Sequence, residues 1–182
     1  MKPKLLLHVC CGPCATQSIV EAKEQYEVIM FFSDSNIYPK EEYLLRLENA
    51  KKLAEIYKVK FVEDEYTHDL WLEQVKGLEK EQEGGKRCSA CFEFNFKRTI
   101  DYARNHNITF FSTTLTISPY KKSKTLFETA KNIISSTDTK IKVEFVEFDF
   151  KKKDGYKKSI ELSKKFGLYR QNYCGCEFSL RD

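Results

Sequence analysis

No apolar run in these 182 residues approaches the roughly 20 that a membrane-crossing helix needs. The basic start, Met1 to Lys4, is followed only by Leu5, Leu6 and Leu7 before His8 and the first cysteines, too brief a stretch for a secretory signal. The expected location is therefore cytoplasmic, away from membranes, where thiols stay reduced. No period of about 20–50 residues recurs, which excludes solenoids and propellers. No low-complexity linker interrupts the chain, so one domain spanning residues 1–182 is expected. Charge excess is slight as well. A net +4 is compatible with nucleic acid without demanding it, so the placement of the lysines matters more than their sum.

What the sequence does have is cysteine, seven in all. An odd count rules out a complete set of intramolecular disulfides, and in a reducing compartment such clusters bind metal or do redox chemistry.

Strand-like and helix-like segments alternate along the chain. Apolar or alternating runs at Lys4–Val9, Val28–Phe32, Lys60–Glu65, Ile108–Leu115 and Val143–Asp149 read as five strands. Helical patterns fall at Ala15–Gln25, Glu41–Tyr57, His68–Gln82, Phe92–Asn105, Lys122–Ser135 and Tyr156–Phe166. Strands spaced by helices imply an α/β fold, a parallel sheet with helices on both faces. Residues of about 67–106, broken at Gly84-Gly85, read as a helical insertion that carries a CxxC. Ligands of such sheets bind beyond the carboxyl ends of the strands, where strand order reverses. Cys10 and Cys11 stand at that end of the first strand, Asp34 at that of the second, and Thr113, Thr114 and Ser118 at that of the fourth.

The cysteines fall into three groups. Cys10 and Cys11 would point to opposite faces in a regular strand, but the turn at Gly12-Pro13 lets them share a ligand. Cys88 and Cys91 form a CxxC at the mouth of a helix, whose N-terminus favours thiolates. Together these four fit a tetrahedral zinc or a 4Fe-4S cluster, and spacing does not separate the two. Cys14, at a helix start, reads as a small residue packed against the sheet. Cys174 and Cys176 form a CxC, which suits either metal ligation or a strained, labile disulfide in a cycling redox couple. Their place near the end of the chain suggests a segment free to approach a site built on the sheet. His8 reads as a strand-end histidine with its hydrogen bonds satisfied.

The segments HVCCGPC, RCSAC, TTLTISPYK and GLYRQNYCGCEFS, in that order, resemble the epoxyqueuosine reductases of the QueH family over nearly the whole chain, from Leu5 to Ser179. The resemblance implies a Rossmann-like fold of the adenine nucleotide hydrolase-like group and reduction of the epoxide of epoxyqueuosine in tRNA to the cyclopentene of queuosine. It implies a 4Fe-4S cluster on Cys10, Cys11, Cys88 and Cys91, and a redox-active disulfide between Cys174 and Cys176 as the catalytic pair. Where that family has Asn-Pro-Asn-Ile after the second strand, this chain reads SDSNIYP. Asp34 is thereby offered as an oxygen ligand beside the cluster, to an additional mononuclear iron.

The implied partners are a tRNA, bound through its anticodon loop, and an electron donor that the sequence does not identify. RNA loops are held by aromatic stacking and by cations on phosphates. Tyr120, Lys121 and Arg170 are the expected substrate-binding residues, with the lysines of KKKDGYKK in reserve. Two other classes compete: a nucleotide-activating RNA sulfurtransferase and a zinc-stabilised RNA-binding module. The first requires a Gly/Ser-rich loop for pyrophosphate, and the loop after the first strand is CCGPC instead.

Overall fold

The computed structural model describes residues 1–136 and 141–180. It is an α/β, Rossmann-like fold. The elements run β1 (Lys4–Val9), α1 (Gly12–Ala22), β2 (Glu27–Phe32), α2 (Lys40–Tyr57), β3 (Lys60–Glu63), α3 (His68–Gln74), α4 (Lys86–Asn105), β4 (Phe110–Thr113), α5 (Ser123–Ser136), β5 (Glu144–Phe145) and α6 (Gly155–Lys165). Short 3-10 turns follow at Thr114–Ile117, after β4, and at Glu177–Ser179, after α6.

All strand pairs are parallel, in the order β3-β2-β1-β4-β5. The chain lays down β1, β2 and β3 in one direction and then returns to place β4 on the other side of β1. Strand order thus reverses between β1 and β4, and Leu5 pairs with Val28 on one side and Phe110 on the other.

Both faces of the sheet are covered, as parallel sheets require. Leu5, Leu7 and Val9 of β1 and Val28, Met30 and Phe32 of β2 pack with Ile19 of α1 and Leu47 and Leu53 of α2. The alternate residues Leu6, Ile29 and Phe31, with Phe111, pack against Phe96 and Ile100 of α4 and Leu126 of α5. The uninterrupted apolar runs of β1 and β2 are the sequence image of this double burial. Among the described residues, no helix is long and apolar enough to cross a membrane.

Three elements differ most from their sequence patterns. The helix expected over His68–Gln82 ends at Gln74, because the chain turns at Val75–Gly77 and the Glu79 carboxylate accepts the Gly77 amide at 2.8 Å. The fifth strand, expected over Val143–Asp149, keeps only Glu144 and Phe145 in the sheet. Beyond them the backbone is held by hydroxyl groups instead, with Ser112 donating to the Val146 carbonyl and Thr116 to that of Phe148, each at 2.8 Å. Helix α4 begins at Lys86, six residues ahead of the helical pattern that starts at Phe92, and so includes both Cys88 and Cys91.

Helix α1 follows β1 almost at once. Cys11 is extended, and its sulfur accepts the Cys14 amide at 3.3 Å, in the role that an N-cap hydroxyl usually fills. Pro13 suits the first turn, where a missing N–H costs nothing. Gly12 lies against α2 so closely that an added Cβ would meet the Asn49 carbonyl oxygen at 2.8 Å. A Gly12→Ala substitution should therefore push α1 and α2 apart and destabilise the protein by about 1–3 kcal/mol, the usual penalty of overpacking. Thermal unfolding of the two proteins checks this, and an unchanged midpoint would contradict the close approach.

Candidate active site

The carboxyl ends of β1 and β4 open on a cavity of about 310 Å³. Its inner wall carries Cys10, Cys14, Asp34, Cys91, Asn95 and Cys174, and its mouth Tyr120, Tyr156 and Arg170.

The first wall comes from the turn after β1. The sulfurs of Cys10, Cys11 and Cys14 lie within 4.8 Å of one another. Cys14 does pack against the core beneath α1, as its position suggested. It also adds a third thiol to the pair, which packing alone did not anticipate. Cys11 is fully buried, and the Gln171 amide donates to its sulfur at 2.9 Å. Burial opposes charge on Cys11, but hydrogen bonds from Cys10 and Cys14, the Arg46 charge and the Gln171 amide outweigh it and hold this thiol well below its usual range. Its neighbours move the other way. Cys10 is pushed up to about 11, first by its hydrogen bond with Cys11, and Cys14 rises for the same kind of reason. Like charges cannot gather in a buried site without a cation. A metal centre is what would take the remaining protons off, and the donor set fits one.

Asp34 follows β2 and is buried with its Oδ2 lacking a hydrogen-bond partner. Burial, and after it negative charge at Cys10, pushes its carboxyl well above the usual range. His8, from β1, lies 3.7 Å from the other oxygen of Asp34. Its Nε2 faces the Ser33 carbonyl at 3.1 Å and its Nδ1 faces the Thr113 hydroxyl at 2.9 Å. Nε2 must then carry the proton, since a carbonyl only accepts. Burial lowers the pKa of this imidazole, and it stays neutral.

The second wall is the start of α4. The Gly84 amide donates to Cys88 at 3.2 Å, while Cys91 packs beside Trp71 and Cys176. Burial, followed by negative charge at Cys174, raises both thiols. One turn on, Asn95 donates to Asn36 at 3.0 Å and leaves its own Oδ1 without a partner.

The third wall is the segment after α6, and it is tied down rather than free. Arg46, fully buried on α2, donates to the carbonyls of Cys174 at 2.9 Å and Tyr173 at 3.3 Å. The Tyr38 amide donates to the Gly175 carbonyl at 2.9 Å, and Glu177 pairs with His68 of α3 at 2.9 Å. Gly175 has φ +141°, and an added Cβ would touch Arg46, Ile37 and Asn36 at 3.2–3.3 Å. The Cys-Gly-Cys segment is thus built into the sheet edge, with Cys176 buried and Cys174 facing the cavity. Cys174 and Cys176 are both free thiols here.

A family model described as epoxyqueuosine reductase QueH matches residues 5–182. The chain belongs to the QueH family. Curated relatives named epoxyqueuosine reductase QueH match it throughout. That of Streptococcus pyogenes serotype M1 is 34% identical over 100% of this chain and 72% of its own length. That of Acinetobacter baylyi is 35% identical over 98% and 81%, and that of Thermotoga maritima 36% identical over 97% and 90%. Among solved structures, the U34-tRNA thiolase NcsA from Methanococcus maripaludis, with its 4Fe-4S cluster, aligns at a TM-score of 0.57 and 13% identity. The alignment covers 99% of this chain and 62% of that one. At that identity the likeness concerns the fold, which is the adenine nucleotide hydrolase-like one.

Of the residues expected from sequence at this QueH site, Cys10, Asp34, Cys91, Tyr120, Lys121, Arg170 and Cys174 line the cavity, whereas Cys11, Cys88 and Cys176 do not. Among the described residues, the cysteines gathered within 4.8 Å of one another are Cys10, Cys11 and Cys14, without Cys88 and Cys91. Tyr120 is 82% exposed at its mouth. The Arg170 guanidinium lies 5.4 Å from the Tyr156 ring centre. Lys121 turns inward and donates to the Cys174 sulfur at 3.4 Å. Sequence reasoning missed Arg46, Asn36, Asn95 and Gln171. Gln171 and Asn36 had a signal, lying inside the GLYRQNYCGCEFS and SDSNIYP stretches. Arg46 sits in a helix rich in charge, with Glu42 four residues before it at 2.6 Å, which looks like an ordinary solvated pair.

Replacing Arg46 with Met should release the Cys-Gly-Cys segment and leave Glu42 without its buried partner. The expected loss is about 3–5 kcal/mol, as for other broken buried pairs. In limited proteolysis, cleavage within residues 166–180 should rise about tenfold as that segment opens locally. A segment still protected in the Met variant would show that Arg46 is not what holds it.

Proposed function

We propose that this protein reduces the epoxide of epoxyqueuosine in tRNA to the cyclopentene of queuosine, as an oxidoreductase of tRNA modification. The observation that carries the reading is the match of the whole chain to the QueH family together with the meeting of three cysteine groups at one cavity. The fold likeness to a tRNA thiolase favours no sulfur transfer here, because the loop after β1 holds thiols where a nucleotide-activating enzyme holds pyrophosphate.

Cys10, Cys11, Cys88 and Cys91 are the ligands we assign to a 4Fe-4S cluster, with Cys14 alongside the first two. When bound, such a cluster supplies electrons singly at low potential. Asp34, with its unpartnered oxygen, is the residue offered to an additional mononuclear iron. The opening of an epoxide to an alkene consumes two electrons and two protons and releases the oxygen as water. Cys174 and Cys176 match that count, since closing one disulfide yields two electrons and two protons. Regeneration of the thiols falls to an external electron donor, and a cytoplasmic setting, where thiols stay reduced, suits it.

The chain's own residues also bind and orient the substrate. A cavity of about 310 Å³ is within the range of sites that hold one small ligand, which suits a single splayed nucleoside of an anticodon loop. Tyr120 offers an exposed ring for stacking at the mouth, and Arg170 a cation for phosphate or base. Lys121 meets the part of the substrate that enters deepest.

Three sets of experiments test the reading. Anaerobically purified protein should carry iron and sulfide and convert epoxyqueuosine-tRNA, and Cys88→Ser should lose the cluster. Full iron and sulfide in Cys88→Ser would overturn the ligand assignment. Cys176→Ser should keep the metal centre and lose turnover. Reduced wild-type protein given substrate but no donor should make about one product per dithiol, from the two electrons of one disulfide. Repeated turnover by a Cys174→Ser, Cys176→Ser double variant would show the dithiol to be dispensable. For RNA binding, Arg170→Ala should lower the salt dependence of tRNA affinity by about one counterion, and an unchanged slope would move the phosphate contact elsewhere.

A further inference from the structure

The two sulfurs of the Cys-Gly-Cys segment have different surroundings, although the sequence presents them as equals. Cys176 is 7% exposed and packs with Trp71 and Val75 in a small apolar cluster behind the site. Its backbone is fixed by the Ser179 hydroxyl and amide, which donate to the Cys176 carbonyl at 2.7 Å and 2.9 Å. Cys174 is half-buried and lines the cavity, with the Lys121 ammonium 3.4 Å from its sulfur. Arg46 approaches from the other side but spends its hydrogen bonds on the carbonyls of Cys174 and Tyr173.

Lys121 is itself well held. Its amide donates to the Ser118 carbonyl at 3.3 Å, and its own carbonyl accepts from the Lys151 ammonium at 2.7 Å. Burial works against the charge of Lys121, and the Cys174 sulfur beside it works in favour. A lysine placed in this way serves a sulfur better than a phosphate. It is turned into the cavity, and a cation close to a thiol favours the anionic, nucleophilic form.

Resting on the assignment of Cys174 and Cys176 as the redox pair, we infer that the pair is ordered: Cys174 is the sulfur presented to the substrate, Cys176 is the buried sulfur that completes the disulfide, and Lys121 is the positioning residue that sets this order. In the overall step the Cys174–Cys176 bond forms and the dithiol is oxidised. Both carbon–oxygen bonds of the epoxide break and a carbon–carbon double bond forms, so the substrate is reduced. The oxygen leaves as water with the two protons that the Cys174 and Cys176 thiols give up. Lys121 acts through Cys174, by donating to its sulfur and holding it aimed into the cavity.

The test is alkylation of the anaerobically purified, reduced protein by limiting iodoacetamide at neutral pH, read cysteine by cysteine by peptide mapping. Cys174, which lines the cavity with a cation beside its sulfur, should react at least about tenfold faster than the buried Cys176. Lys121→Met should slow Cys174 by about the same factor and leave Cys176 unmoved, with the visible absorption of the metal centre unchanged. Lys121→Arg, which restores a cation, should recover most of the rate. Equal rates for the two thiols in the unaltered protein, a comparison that needs no variant, would overturn the order. So would a Lys121→Met protein whose Cys174 reacts as before. Because no substrate is present, the outcome is independent of the reductase assignment, which fails or stands in the tRNA turnover assay alone.

Discussion

The reversal of strand order between β1 and β4 is the constraint on which the site depends. On either side of that line the crossovers leave in opposite directions, so no helix covers the strand ends themselves. Elsewhere the sheet is closed above and below by apolar side chains. The cleft at the switch point is where buried backbone and hydroxyl groups can turn toward a bound molecule. Cys10 and Thr114 stand in it because they are the residues immediately beyond the last paired positions, His8 with Thr113 and Val9 with Phe32.

What is built over that cleft is a charge arrangement as much as a shape. Cys10, Cys14 and Cys91 are driven toward their neutral forms by burial and by neighbouring thiols, whereas Cys11 is driven the other way. The cations that face them are few and specific: Arg46 toward Cys11 and the Cys174 carbonyl, Lys121 toward Cys174. Such a site is ready to exchange protons for metal at one end and to give up electrons from sulfur at the other. The same guanidinium links the two ends, since Arg46 lowers the Cys11 thiol while it fixes the backbone of the Cys-Gly-Cys segment.

The sheet was legible in the sequence wherever burial is two-sided. Lys4–Val9 and Val28–Phe32 are near-continuous apolar runs, and the strands lie there to within a residue. Where a segment is stabilised by side chains from elsewhere, the pattern misleads. Val143–Asp149 alternates like a strand, yet after Phe145 its carbonyls are taken by Ser112 and Thr116. The cysteine groups were legible because thiols are rare and their spacings carry chemistry. The residues that orient them were not. Asn36, Asn95 and Arg46 are ordinary polar letters in ordinary helical or loop contexts, and only the tertiary fold turns them inward. Lys121 shows what a motif leaves out: TTLTISPYK places a lysine beside an exposed tyrosine, and the fold alone turns its side chain toward the Cys174 sulfur.

The hydrogen bond from Gln171 to Cys11 joins residues 160 positions apart. That separation has a consequence for how the protein comes into being. A ribosome adding roughly 5–20 residues per second reaches Gln171 on the order of 8–30 s after Cys11, by the same rates. Throughout that interval the thiols of Cys10, Cys11 and Cys14 exist on a growing chain without the segment that covers them. The open period sets the order of assembly: metal can reach the early cysteines from solvent before the wall formed by residues 169–179 arrives, and so can any oxidant. Docking of that wall is therefore also the step that ends the exposure of the nascent site.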